Sequence, residues 1–150
     1  MWKKYSMSVI IMEVDSLKKI AVCSDRGMWF TFVFGAFVYG ALEIAWRGYT
    51  HPAMLLLGGG CLAYIYRSEK LLCHKLTFVW RNTLYAVLIT LSELIAGLLQ
   101  NVWLKLDIWD YSGLPLNLCG QICLFFSALW FVLSVVCCFV CKAVRFVFSE

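Results

Sequence analysis

The sequence predicts an all-α membrane protein with four transmembrane helices in two similar helix hairpins, preceded by an interfacial amphipathic segment. The first observation is composition: 63% of the 150 residues are hydrophobic and 15% are charged, whereas soluble domains carry roughly 25% charged residues. The second is that the apolar residues are gathered into four segments close to the length of a bilayer-spanning helix, about 20 residues. The third is the uneven distribution of positive charge between these segments.

Residues 1–27 are expected to form a cytoplasmic amphipathic tail that lies on the membrane surface. Apolar residues recur there at helical spacing beside a pair of lysines, Lys18 and Lys19, as in interfacial helices. A secretory signal is excluded, because Glu13 and Asp15 interrupt the apolar run and no small-residue cleavage site follows. A loosely ordered tail is the alternative for this segment.

A four-helix transmembrane domain is expected over residues 28–150, with spans at 28–46, 52–66, 82–104 and 118–141. The second segment is the shortest. Its glycine run at 58–60 weakens a helix, although small residues also let helices approach closely in lipid. A re-entrant segment is the alternative there. A full span is favoured because the basic regions before the first segment and after the second then lie on the same side of the membrane.

Positive charge predicts that orientation. Eleven of the 13 Lys and Arg lie in the N-terminal tail, in the connection between the second and third segments, or in the C-terminal tail. Cytoplasmic regions of membrane proteins carry such an excess, so both termini are expected in the cytoplasm. The net charge of +4 therefore reflects topology and indicates no nucleic-acid partner.

The two halves of the domain, residues 34–66 and 84–130, are similar enough to suggest an internal repeat. Tyr49 and Thr50 precede a Gly, a Cys and a Leu. Tyr111 and Ser112 precede the same three residue types at the same spacing, with an offset of 62 residues. Upstream, each half contains a glutamate within an apolar helix. Chance matches between apolar sequences are the alternative explanation.

Three runs carry a resemblance to a known family: EIAWRGYTHPAMLLLGG, LSELIAGLLQNVWLKLDIWDYS and LPLNLCGQICLFFSALWF. They resemble small bacterial and phage-related integral membrane proteins labelled as ABC-transporter permeases. The resemblance runs from about residue 34 to the C-terminus, and 109–124 is its most specific part. Pro52 departs from the bulky aromatic residue expected after His51. The resemblance implies a bacterial inner (plasma) membrane protein. It also implies a separate ATPase subunit, because the chain has no phosphate-binding GxxxxGK[ST] loop.

Polar residues within the apolar segments are the candidate functional residues, because ionisable groups in a membrane are expensive and usually have a role. Glu43 and Arg47 are four residues apart and could pair on one helix face. The proposed substrate or ion path consists of Glu43, Arg47, Glu93, Gln100, Asn101 and Gln121. The outer-loop residues expected above it are Tyr49, Thr50, His51, Trp109, Asp110, Tyr111, Ser112 and Asn117. Together they would form a polar interior open to the outer face.

Other chemistries are disfavoured by the spacing of the residues. His51, Asp110 and Ser112 lack a nucleophile-elbow motif, so the chain is not expected to be an enzyme. No His-x-x-His or Glu-x-x-His pattern supports a metal site, and no cofactor is expected. Most of the eight cysteines lie in apolar segments and are expected to act as small apolar residues.

Two functions follow from these observations. The first is a permease-like or channel-like transport component, expected to assemble as a homo-oligomer in the lipid bilayer. The second is a membrane protein of assembly, regulation or phage lysis, in which the polar groups only tie the helices together.

Overall fold

The computed structural model describes the backbone of residues 7–148 and the side chains of residues 26–148. Its four helices are α1 (Met7–Arg47), α2 (Pro52–Leu72), α3 (Phe78–Gly97) and α4 (Leu124–Phe148). A π-helical turn, Leu98–Trp103, extends α3, and a two-residue hairpin of β1 (Asn117–Leu118) and β2 (Ile122–Cys123) precedes α4. The predicted all-helical architecture is confirmed. The predicted amphipathic face of the tail, residues 1–27, lies outside the described side chains.

Three of the described helices are long and apolar enough to cross a membrane: Arg26–Arg47, Phe78–Trp103 and Leu124–Phe148. Their outward faces carry large apolar side chains; Phe37, for example, is 77% exposed. Such surfaces are stable in contact with lipid, and the chain is a membrane protein. The fourth helix, α2, has 21 residues, but Arg67, Glu69 and Lys70 near its C-terminal end lower its mean hydropathy. It is therefore not one of the three candidate spans.

The predicted start of the last helix, at residue 118, is wrong. Cys119 and Gly120 have positive φ angles of 54° and 69°, which a right-handed helix cannot contain. The chain turns back at these residues, so that Leu118 pairs with Ile122 in an antiparallel hairpin. Gln121 therefore lies in a turn and not one turn into α4, which begins at Leu124 and continues beyond the predicted end at 141.

Helices α1 and α2 pack antiparallel along a close seam, because glycines of α2 lie against α1. A Cβ atom added to Gly59 would lie 2.6 Å from the carbonyl oxygen of Phe32, whereas one added to Gly60 would meet nothing within 4 Å. Only one face of the glycine run therefore serves the contact. This agrees with the role of small residues at helix interfaces in lipid.

The chain alternates in direction, which gives the bundle two distinct ends. We call the end that holds the connections 48–51 and 104–123 the loop end, and the end that holds the connection 73–77 and the C-terminus of α4 the basic end. The larger apolar core lies towards the basic end, with Tyr66, Tyr85 and Cys141 at its centre. A smaller cluster at the loop end contains Met54, Ile108 and Trp109.

Candidate functional site

The last turn of α1 brings Glu43 and Arg47 together as predicted. Arg47 Nη2 forms an ion pair with Glu43 Oε1. Its Nη1 donates a hydrogen bond of 2.8 Å to the carbonyl oxygen of Ile108, and its guanidinium lies 5.0 Å from the ring centroid of Tyr49. The hydroxyl of Thr50 donates to Glu43 Oε2 at 2.5 Å. The pair therefore joins α1 to both connections at the loop end.

Glu93 lies on α3 and is 2% exposed. Its two carboxylate oxygens accept hydrogen bonds from neutral donors: Trp130 Nε1 at 2.8 Å and the Tyr111 hydroxyl at 3.1 Å. The Tyr111 ring stacks on Phe126 of α4 with centroids 4.6 Å apart. Burial raises the pKa of Tyr111, so its hydroxyl stays protonated and acts as a donor.

Asn101, in the π-helical turn, holds the connection 104–123 against the bundle; we call its set of contacts the Asn101 clasp. Its Nδ2 donates to the Trp109 carbonyl oxygen at 2.9 Å and to Gln121 Oε1 at 2.8 Å. Its Oδ1 accepts from the Ile108 backbone N–H at 2.7 Å. The wider π-helical turn is marked by the bond of 3.0 Å from the Leu104 N–H to the Leu99 carbonyl. Such turns are frequent at functional sites.

The three predicted path residues of the third helix, Glu93, Gln100 and Asn101, do not all take part in the same contacts. Glu93 and Asn101 both turn inward, and Gly97 between them leaves room for the loop, since a Cβ there would lie 2.5 Å from Gln121 Oε1. Gln100 takes no part in the Asn101 clasp. Its buried Oε1 has no hydrogen-bond partner within residues 26–148.

Asp110, Ser112 and Asn117 lie at the solvent-facing tip of the loop end. Asp110 accepts hydrogen bonds from the Ser112 hydroxyl at 2.7 Å and the Ser112 backbone N–H at 2.8 Å, and the hydroxyl in particular lowers the pKa of Asp110. Asn117 Nδ2 donates to the Leu114 carbonyl at 2.7 Å. His51 is used differently, because its Nδ1 accepts from the Ala53 N–H at 3.3 Å and caps α2.

A cavity of about 100 Å³ lies inside the bundle, bounded by all four helices. Of the predicted path residues, Glu93 is the one that lines this cavity. Glu43, Arg47, Asn101 and Gln121 instead bond to the connections at the loop end. Apart from Gln100, the predicted path residues therefore fall into two groups. Glu93 lines the cavity, and the other four form hydrogen bonds that hold the connections at the loop end.

A second buried ionic group, at the basic end, was not anticipated from the sequence. Arg81 Nε lies 2.8 Å from Glu69 Oε2, and the Tyr85 hydroxyl donates to the same oxygen at 3.0 Å. Glu69 is 1% exposed and Arg81 is 5% exposed. By its position in the sequence, Arg81 is one of the basic residues of the connection that predicts the orientation. The sequence signal for a buried pair is Glu69, an acidic residue within a basic run.

Comparison with known protein families gives a match to this chain. Residues 47–149 match the model of a family described as "Putative ABC-transporter type IV". The match includes Glu93, the Asn101 clasp and the Glu69–Arg81 pair, while Glu43 lies outside it. No curated protein and no solved structure matches the chain.

Proposed function

We propose that this chain, which belongs to the "Putative ABC-transporter type IV" family, forms the membrane-embedded component of a transporter. The observation that carries the proposal is the extent of the family match, 103 of 150 residues (47 to 149). The three long apolar helices and a buried carboxylate beside an internal cavity support a transport role. No enzymatic step is assigned to the chain.

Energy for transport would come from a second protein. The sequence has no GxxxxGK[ST] motif, so this chain does not bind ATP by a phosphate loop. A separate ATPase subunit is therefore part of the proposal. Four helices are few for a translocation pathway, and we propose that copies of the chain assemble as a homo-oligomer in the bacterial inner membrane.

The proposed topology places the loop end outside the cell and both termini in the cytoplasm, with α2 as the fourth span. Arg67, Lys70, Lys75, Lys142 and Arg145 all lie towards the basic end, and positive charge favours the cytoplasmic side. The four-residue connection 48–51 and the antiparallel α1–α2 seam support a crossing by α2.

Cysteine labelling with a membrane-impermeant reagent tests this topology in a background without Cys23, Cys73 and Cys119. The probes are Gly48→Cys and Gly113→Cys at the loop end and His74→Cys at the basic end. All three positions are exposed, and a Cβ at either glycine meets nothing within 4 Å. Gly48 has a positive φ of 80°, which strains any residue other than glycine, so a melting curve first checks that Gly48→Cys is folded. Intact cells should label the first two and protect the third. Protection at 48 with labelling at 113 would contradict the crossing by α2.

Glu93 is the residue proposed to act in transport, because it alone of the predicted path residues faces the cavity. Glu93→Gln keeps the shape of the side chain while removing the charge. The amide oxygen can still accept from Trp130 Nε1, and the amide nitrogen can donate to the Tyr111 hydroxyl oxygen in place of the present bond. Purified protein, with any ATPase that co-purifies, is reconstituted into liposomes and assayed for potassium and small-solute flux. We expect Glu93→Gln to lose flux with a melting temperature close to that of the wild type. Full flux in this variant would contradict the assignment.

The alternative is a non-transport role in assembly, regulation or phage lysis. It is favoured by one observation: the polar groups of the loop end largely bond to one another, as in the Asn101 clasp. A wild-type protein that is folded but gives no flux under any of these conditions, and with which no ATPase co-purifies, would favour this alternative.

A further inference from the structure

Among residues 26–148, three glutamates are buried, and they differ in their counter-charges. Glu43 pairs with Arg47, and Glu69 pairs with Arg81. Glu93 forms no ion pair with any residue in the range 26–148, although it is as deeply buried as Glu69. An unpaired charge in a membrane is costly, about 2.5 to 3.5 kcal/mol for Asp or a basic residue at the helix centre on insertion scales. Within the described side chains, Glu93 therefore lacks the cation that the other two glutamates have.

The cavity gives such a cation a place to lie. Of its 17 lining residues, Glu93 is the one with a charged side chain, and the rest of the wall is mainly apolar. An engineered apolar cavity of about 150 Å³ binds benzene, so a cavity of about 100 Å³ has room for a small apolar group. The wall thus combines an apolar surface with a single negative charge.

Access to the cavity is from the side of the bundle, between α1 and α4. The lining residues Phe34, Val38 and Leu42 on α1 are 38%, 36% and 48% exposed, and Val136 on α4 is 52% exposed. Apolar side chains that are exposed on membrane spans face acyl chains. A ligand that reaches this cavity laterally therefore comes from the bilayer and must be soluble in it.

Two aromatic rings stand beside the carboxylate. Tyr39 and Trp130 both line the cavity, with ring centroids 6.1 Å apart, and Trp130 also donates to Glu93. Aromatic faces attract cations, most strongly when the cation is removed from water. The rings would therefore favour a positively charged group over a neutral one of the same shape.

We propose that the cavity binds a lipophilic monocation, whose apolar group enters between α1 and α4 and whose charged nitrogen faces Glu93. The inference rests on the proposed function, since it names the substrate class of the same site. Charge complementarity and lateral access from lipid carry it. A free inorganic cation is disfavoured because the wall offers too few oxygen ligands.

Binding is measured by equilibrium dialysis of tritiated benzyldimethyloctylammonium against the protein in nanodiscs, with protein-free nanodiscs subtracted. This cation is permanently charged, so it cannot become neutral by losing a proton. N-Benzyl-N-methyloctanamide is the uncharged comparison. We expect saturable binding of the cation and at least tenfold weaker binding of the amide. Equal binding of the two compounds would overturn the proposal.

Variants localise the site. Glu93→Gln should weaken cation binding at least tenfold, while Asp107→Asn, which removes a negative charge from the exposed loop, should leave it unchanged. Cys61→Leu narrows the cavity without altering Glu93 and should also weaken binding. A melting curve for each variant confirms folding. Unchanged affinity in Glu93→Gln would overturn the proposal, and so would unchanged affinity in Cys61→Leu, because the ligand would then lie outside this cavity.

The flux assay separates this inference from the proposed function. Saturable, Glu93-dependent binding without flux would support the ligand class and count against transport. Glu93-dependent flux of other solutes without cation binding would support transport and overturn the ligand class.

Discussion

The loop end and the basic end each contain a buried glutamate–arginine pair, but the two pairs are built differently. At the loop end, Glu43 and Arg47 are one turn apart on α1, and their side chains are 9% and 18% exposed. At the basic end, Glu69 of α2 meets Arg81 of α3, with side chains 1% and 6% exposed. One pair is set by the geometry of a single helix and the other by packing between helices.

The two pairs also differ in the contacts that the arginine keeps when its glutamate is replaced. Arg47 keeps a hydrogen bond to the Ile108 carbonyl and the Tyr49 ring, and it lies beside the loop. Arg81 is more deeply buried, with a ring contact to Phe78 at 5.7 Å. The basic end should therefore be the more sensitive of the two to removal of a charge.

The largest expected effect is that of Glu69→Gln. It leaves Arg81 as an unpaired buried charge, and breaking a buried pair on one side costs about 3–5 kcal/mol. A thermal melt in one detergent should show a marked loss of stability. The double variant Glu69→Gln with Arg81→Gln should recover much of it, because no lone charge remains. Lys70→Gln, which removes an exposed neighbouring charge, is the control and should be nearly neutral.

A smaller loss is expected from Glu43→Gln, about 1.5–3 kcal/mol, the usual contribution of a hydrogen bond to a charged group. Arg47 keeps its other contacts, and the site is closer to water. Adding Arg47→Gln should restore part of the stability. If Glu43→Gln were as damaging as Glu69→Gln in the same melt, the contrast between the two ends would be wrong.

The α1–α2 seam connects the two ends, and Gly59→Ala should disturb it. The new methyl group meets the Phe32 backbone oxygen, which cannot rotate away, and overpacking of this kind costs about 1–3 kcal/mol. Gly60→Ala on the open face is the matched control and should be neutral or stabilising, because alanine favours helix by roughly 0.5–1 kcal/mol over glycine. Equal melting temperatures for the two variants would refute the seam.

The smallest effect is expected at the tip of the loop end. Hydrogen bonds donated by Ser112 lower the pKa of Asp110 in the folded protein. The stabilisation of the loop by the ionised carboxylate is therefore present above the unfolded pKa, about 3.9. It is lost as the pH falls through the lower pKa of the folded state. A spin label at Gly113→Cys should gain mobility between pH 7 and pH 2. Asp110→Asn should remove most of that change, whereas Asp107→Asn should leave it. Equal pH responses in both variants would exclude Asp110 as the cause.

Much of the loop end could be predicted from spacing alone. The i,i+4 relation of Glu43 and Arg47 is a property of any helix, and the common face of Glu93 and Asn101 follows from their separation of eight residues. The apolar pattern places Gln121 inside the last helix, whereas positive φ angles at Cys119 and Gly120 turn the chain before that helix begins. Nothing in the hydropathy of that segment marks the turn.

The internal repeat stays a prediction. In each half, the glutamate accepts a hydrogen bond from a loop hydroxyl of the same half, Thr50 for Glu43 and Tyr111 for Glu93. The pairing at an offset of 62 residues does not align the secondary structure, however. Gly58 lies inside α2, whereas Gly120 lies in the turn before α4.

By itself, the sequence determined the class of the protein, its helices and the residues whose burial needs an explanation, because hydrophobic length and helical periodicity are local properties. The tertiary structure decided which charges meet. Arg81 reads as one more basic residue in a connection, yet the packing of α2 against α3 buries it on Glu69. The same packing leaves Glu93, on the wall of an apolar cavity, without a counter-charge from any side chain in the range 26–148. Pairing across helices depends on how their faces are rotated toward one another, which no spacing within one helix records.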